Sequence, residues 1–122
     1  MADLVYYINK ESLEWPSKNK TWKAVTGPWK KGSLPKGSYT VKRNHITQYT
    51  SAIGASFQDE TGQGFFLPIE PDFNTIRSGL GIHPDGGVAG TEGCIGLKER
   101  AAEFYREIAG TAFGTLSLEV QD

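Results

Sequence analysis

Gly79-Leu80-Gly81-Ile82-His83-Pro84-Asp85-Gly86-Gly87-Val88-Ala89-Gly90-Thr91-Glu92-Gly93-Cys94-Ile95-Gly96-Leu97 holds the only cysteine of the chain and one of its two histidines. It also holds seven glycines, which supply turns and let a backbone approach a ligand closely. Residues 79–83 have the composition of a buried strand that ends on the imidazole. A thiol, an imidazole base and exposed backbone N–H groups are the parts of cysteine acyl transfer. The rest of the chain reads as the scaffold that holds them.

Outward from this stretch the pattern is mostly β. Residues 3–9 contain Leu4, Val5, Tyr6, Tyr7 and Ile8, a run of strand formers. Residues 15–20 read as a loop or hairpin tip, and 21–25 as a second short strand carrying Trp22. Turn residues fill 26–32, and 38–41 opens a further strand whose alternation continues weakly through Ile46, Tyr49 and Ile53. Residues 65–69 form a short apolar strand stopped by Pro68 and Pro71, and 115–120 alternates Leu116, Leu118 and Val120 inward. One helix is expected over 98–109, where Leu97, Ala101, Phe104, Tyr105 and Ile108 make one apolar stripe before Gly110. The predicted class is therefore mainly β with one principal helix, in one domain covering residues 1–122.

Composition narrows the functions. Hydrophobic content of 38% and charged content of 22% suit a globular chain, and a net charge of −1 provides no field to draw it to nucleic acid or anionic lipid. Neither nucleic-acid binding nor membrane insertion is expected. No apolar run approaches the ~20 residues of a bilayer span, and no basic segment followed by an apolar core marks a secretory signal at the N-terminus. One cysteine excludes an internal disulfide and any multi-cysteine zinc site. No metal site and no cofactor are expected.

Each candidate residue has two readings. Cys94 is either a small buried hydrophobe or a nucleophile; the flanking Gly93 and Gly96 and a helix expected a few residues on favour an activated thiolate. His83 is a packing residue or the base, at a strand end before a Pro-Asp-Gly-Gly turn. Asp85 either orients that imidazole or shapes the turn. Arg77 either binds a substrate carboxylate or is a solvated loop arginine. Thr91 and Glu92 either touch substrate or belong to the loop, and the charge of Glu92 would raise the thiol pKa. His45, in Lys42-Arg43-Asn44-His45, reads as surface.

Ile82-His83, followed by Thr91-Glu92-Gly93-Cys94-Ile95, resembles the signature of the L,D-transpeptidase (YkuD-like) catalytic domain. Leu34-Pro35-Lys36-Gly37-Ser38-Tyr39-Thr40-Val41 is similar to the Pro-x-Gly-x-Tyr/Phe strand opening of that family, and Gly114-Thr115 into Leu118 to its closing strand. The resemblance spans residues 32–120 and is closest to compact, signal-less variants among type VI secretion effectors and phage-associated wall enzymes. Chain order, histidine before cysteine, separates it from NlpC/P60-type peptidases. The sequence departs from the pattern at Pro84, Glu92 and Gly96.

The resemblance implies a β-sandwich or barrel of mixed sheets with thiol and imidazole at one end of a groove. It implies a peptidoglycan-modifying cysteine enzyme acting on stem tetrapeptides through a thioester. Cys94 is the expected nucleophile, His83 the base, and the N–H groups of Gly93 and Cys94 the oxyanion donors. Water, a second stem or a free D-amino acid would accept the acyl group. The expected partners are peptidoglycan stem peptides, with a cognate immunity protein and secretion machinery if the chain is an antibacterial effector. The expected site of action is the periplasm or cell wall, after export or lysis. The alternative is a non-catalytic wall-binding or inhibitory β-domain with a degenerate site.

Overall fold

A computed structural model describes residues 2–26, 34–75, 79–85, 94–110 and 114–122. Eight strands close into a barrel: β1 (Leu4–Tyr7), β2 (Ser12–Trp15), β3 (Lys20–Thr26), β4 (Gly37–Val41), β5 (Leu67–Pro71), β6 (Gly81–Pro84), β7 (Ile95–Leu97) and β8 (Leu116–Gln121). Around the barrel the order is β1-β2-β3-β7-β6-β5-β4-β8. The β1–β8 and β6–β7 pairs are parallel and the other six antiparallel. The expected mixed-sheet barrel is therefore the observed one.

Alternation decides which side chains fill it. Leu4 and Tyr6 of β1, Trp22 and Ala24 of β3, Tyr39 and Val41 of β4, and Leu118 and Val120 of β8 share one buried core. Their sequence neighbours at Thr21, Lys23 and Ser38 are exposed. Tyr6 carries a polar tip into this core, and its hydroxyl donates to the Ala24 carbonyl at 3.1 Å. Burial holds that phenol protonated by pushing its pKa well up.

The helix α1 (Ala101–Ala109) adds Ala101, Phe104 and Ile108 to the same core. Phe104 meets the Trp22 ring edge-on at 5.0 Å between centroids, and Tyr105 lies 5.4 Å from Phe65. The apolar stripe was legible, but the helix starts three residues later than the expected 98. Arg100 sits in the left-handed region at φ 48°, and the Lys98 N–H continues the sheet ladder to the Lys23 carbonyl at 2.9 Å. A helix cannot begin while those residues still complete strand pairing and a turn.

Two strands escaped the sequence reading. Residues 12–15 form β2, which pairs antiparallel with β3 around the 3₁₀ turn Pro16–Lys18, so the loop or hairpin tip expected at 15–20 is the β2–β3 connection with its two end residues in the strands. Residues 95–97 form β7, so Cys94 leads into a strand and not directly into a helix. The expected aid of a helix N-terminus to the thiolate is thereby removed, since helix-dipole effects fade within about one turn. Both strands are three or four residues long, too short for periodicity to reveal. The strand expected at 65–69 is shifted to Leu67–Pro71 and contains both prolines instead of ending on Pro68. The strand expected at 79–83 is Gly81–Pro84.

The weak alternation through Ile46, Tyr49 and Ile53 is not a strand. Residues 42–66 are largely irregular, with 3₁₀ turns at Arg43–His45 and Ala55–Phe57. The segment is stitched to itself by isolated bridges between Thr50 and Gly64 and between Gln58 and Gly64. Tyr49 donates to the Asp59 carboxylate, and that carboxylate also accepts the Thr61 N–H at 2.8 Å. These donors hold the Asp59 carboxyl below its usual pKa despite an opposing burial effect.

Candidate active site

The site is built on the β6–β7 pair. The parallel register sets Ile82 opposite Ile95, His83 opposite Gly96 and Pro84 opposite Leu97. Ile82, Ile95 and Leu97 point into the barrel core. Alternation therefore turns His83 and Gly96 to the other face, and Cys94 stands immediately before β7. The topology thus brings the two expected residues to neighbouring parallel strands, His83 within β6 and Cys94 at the head of β7.

His83 is 2% exposed and Cys94 8%. The imidazole Nδ1 lies 2.7 Å from the Pro84 carbonyl oxygen. A carbonyl only accepts, so Nδ1 carries the hydrogen and Nε2 keeps the lone pair. Desolvation lowers the His83 pKa below the ordinary histidine value; the Pro84 hydrogen bond and the charge of Asp85 oppose that in part. The net result is a ring that is neutral at pH 7 with Nε2 as its acceptor. Such a nitrogen can take a proton from a neighbouring thiol. The Cys94 sulfur has a long, 3.9 Å contact to the Gly79 carbonyl.

Asp85 follows β6 directly. Its N–H donates to the Leu97 carbonyl at 2.8 Å, and its carboxylate pairs with the Lys98 ammonium at 3.0 Å. The hydrogen bond that orients the imidazole comes from the Pro84 carbonyl, with Asp85 acting through its charge. A backbone carbonyl leaves no signature in side-chain types, and sequence reasoning missed it for that reason. His45 is exposed, as expected. Arg77, Thr91, Glu92 and Gly93 lie outside the described residues.

Two aromatic residues were also missed. Phe57 meets the His83 ring edge-on at 4.6 Å between centroids, and Phe66 lies nearly parallel to it at 5.9 Å. The Phe65-Phe66 doublet held a usable signal, because neighbours in an extended chain face opposite ways. Phe65 enters the core at 0% exposure while Phe66 turns to the histidine side. Phe57 had no such signal, since it arrives from an irregular segment.

Among the described residues no group of three or more His, Cys, Asp or Glu side chains is arranged to hold a metal ion. Among them, too, no helix is long and apolar enough to cross a membrane.

The family model for the YkuD L,D-transpeptidase catalytic domain matches residues 3–114. No curated protein sequence matches the chain. The X-ray structure of an L,D-transpeptidase from Mycobacterium tuberculosis H37Rv is similar in fold, with a TM-score of 0.60 and 22% sequence identity. The likeness covers 98% of this chain and 57% of that one, so the chain spans little more than half the length of that protein.

Proposed function

The chain belongs to the YkuD family of L,D-transpeptidase catalytic domains, and from that premise we propose that it is a peptidoglycan-modifying cysteine enzyme acting on stem tetrapeptides. The observation that carries the reading is the placement of Cys94 at the head of β7, the parallel neighbour of the strand that carries His83, with Nδ1 committed to the Pro84 carbonyl. The imidazole is thereby left one basic nitrogen, Nε2, for the thiol.

In the proposed reaction His83 Nε2 takes the Cys94 thiol proton, and the thiolate sulfur bonds to a stem-peptide carbonyl carbon. The carbonyl π pair moves to oxygen, where the N–H groups of Gly93 and Cys94 receive it. Collapse breaks the C–N bond to the terminal D-amino acid, and the imidazolium returns its proton to that leaving amine. The thioester then passes to water, to a second stem or to a free D-amino acid, with His83 deprotonating the acceptor. Hydrolysis makes the enzyme an L,D-carboxypeptidase; aminolysis makes it a transpeptidase or exchanger. Arg77, Thr91 and Glu92 are the proposed substrate contacts.

As biology, we place this activity in the periplasm or wall of a target cell, delivered by a secretion system or by lysis. The chain would then be an antibacterial effector of the type VI or phage-associated kind, opposed by an immunity protein in its producer. This placement rests on the sequence resemblance alone.

The test is incubation of the protein and its Cys94→Ala variant with tetrapeptide muropeptides, with product masses read out. Release of the terminal residue by the parent and its loss in the variant are expected. Equal turnover by both rejects the thiol role. A second reading, a non-catalytic wall-binding domain, draws on the near-complete enclosure of both groups. A thiol probe separates the two: an activated Cys94 labels quickly near neutral pH, and an enclosed inert thiol labels only on unfolding.

A further inference from the structure

Three rings meet above the β6–β7 face. Phe57 and Phe66 are 5.3 Å apart and both contact His83, which completes the triangle. Two glycines make room for this arrangement. A β-carbon on Gly81 would stand 2.4–2.8 Å from the Cζ and Cε atoms of Phe66, so that ring lies directly over a bare strand residue. A β-carbon on Gly64 would stand 1.7 Å from the Phe57 carbonyl oxygen, so the backbone behind Phe57 packs against another bare position. Phe66 is fixed from its own backbone too: its N–H donates to the Thr47 hydroxyl at 2.7 Å, and its carbonyl accepts the Thr47 N–H at 3.1 Å. Neither ring belongs to the barrel core. Their placement is a construction of segment 42–66 around the imidazole.

We infer that Phe57 and Phe66 are positioning residues for His83: as an aromatic frame they hold the ring in the plane that keeps Nδ1 on the Pro84 carbonyl and leaves Nε2 for the thiol. This rests on the reading of His83 as the base. An imidazole has a free torsion about its ring axis, which is broad and roughly two-fold. One edge-on contact and one parallel contact, from rings held by different backbone anchors, remove that freedom. The same rings exclude water from the imidazole, which favours its neutral, proton-accepting form.

Among the described residues the charged surroundings leave the frame as the main influence. Asp85, at the end of β6, acts on the ring but is paired with Lys98 beyond β7. β7 itself carries no titratable side chain, and Cys94 immediately precedes it. The turn Ala55–Phe57 carries no charged residue, and Asp59 beyond it is engaged by Tyr49 and Thr61. On β5, Glu70 pairs outward with Lys42 at 3.2 Å.

The test follows the imidazole by NMR in the full chain. Only two histidines are present, so the His83 ring signals are readily assigned by comparison with exposed His45. In Phe57→Ala the His83 midpoint is expected to rise toward the ordinary histidine value, with a smaller rise in Phe57→Leu and Phe66→Leu. The Nδ1–H tautomer preference should weaken in parallel. The acid limb of the kcat profile should move by the same interval, with kcat falling by up to about 100-fold through misplacement of the base and KM holding. If the alanine variant fails to fold, the leucine pair carries the same readout. An unmoved His83 midpoint in the folded variants overturns the inference. A rise in KM with kcat and midpoint unchanged also overturns it, since the rings would then be a substrate wall. A midpoint that moves in a protein without turnover keeps the frame and rejects the enzymatic reading. An unmoved midpoint in a protein whose turnover needs Cys94 does the reverse.

Discussion

The Phe57 carbonyl oxygen and Gly64 occupy adjoining space so closely that a β-carbon at Gly64 would lie 1.7 Å from that oxygen and 2.7 Å from its carbon. Both obstructing atoms are backbone, so no rotamer change relieves the clash. The Gly64 N–H and carbonyl are meanwhile tied to Thr50, each at 2.9 Å. Gly64→Ala must therefore displace the turn at Ala55–Phe57 or break the Thr50 bridge. We expect a loss of about 1–3 kcal/mol, the usual range for overpacking, measured by urea unfolding. Loss of the Phe57–His83 contact should follow, seen as a changed ring-current shift on the His83 protons.

Stability should fall as the solution is acidified through the histidine range. Burial sets the folded pKa of His83 below its ordinary value of 6.5. Between the two values the unfolded chain binds a proton that the native chain does not. The contribution is thus complete above pH 6.5 and declines below it, with a slope of at most about 1.4 kcal/mol per pH unit. His83→Phe should lack this component. The stability difference between parent and variant, measured by urea unfolding, should be constant above pH 6.5 and drift in favour of the variant below it.

Asp85→Asn separates charge from hydrogen bonding at the imidazole. The carboxylate raises the His83 pKa, whereas Pro84 supplies the ring's hydrogen bond. Removing the charge should move the His83 midpoint further down without altering the tautomer, as read by imidazole nitrogen shifts. The Lys98 ion pair has a half-exposed cation, so its loss should cost less than about 1 kcal/mol.

Tyr6→Phe should cost about 1–2 kcal/mol in thermal or urea unfolding. The ring stays in the core, but the Ala24 carbonyl loses a buried donor at 3.1 Å. The barrel itself should survive, because β1 keeps its ladders to β2 and β8.

The sequence alone determined the β-rich class, most strand positions, the helix and the presence of a histidine ahead of the lone cysteine. These are local properties: β-branched and aromatic runs, a helical apolar stripe, and rare reactive residues set among glycines. It also determined the inward residues of β8, where Leu118 and Val120 are buried. Tertiary structure alone decided that β6 and β7 run parallel side by side, which sets the strand of His83 next to the one that Cys94 leads into. It decided that a strand, and not a helix, follows Cys94. It also decided that Pro84's carbonyl orients the imidazole and that Phe57 reaches it from a segment with no regular pattern. Backbone acceptors and contacts across irregular chain depend on where distant segments pack, and neither residue type nor periodicity encodes that.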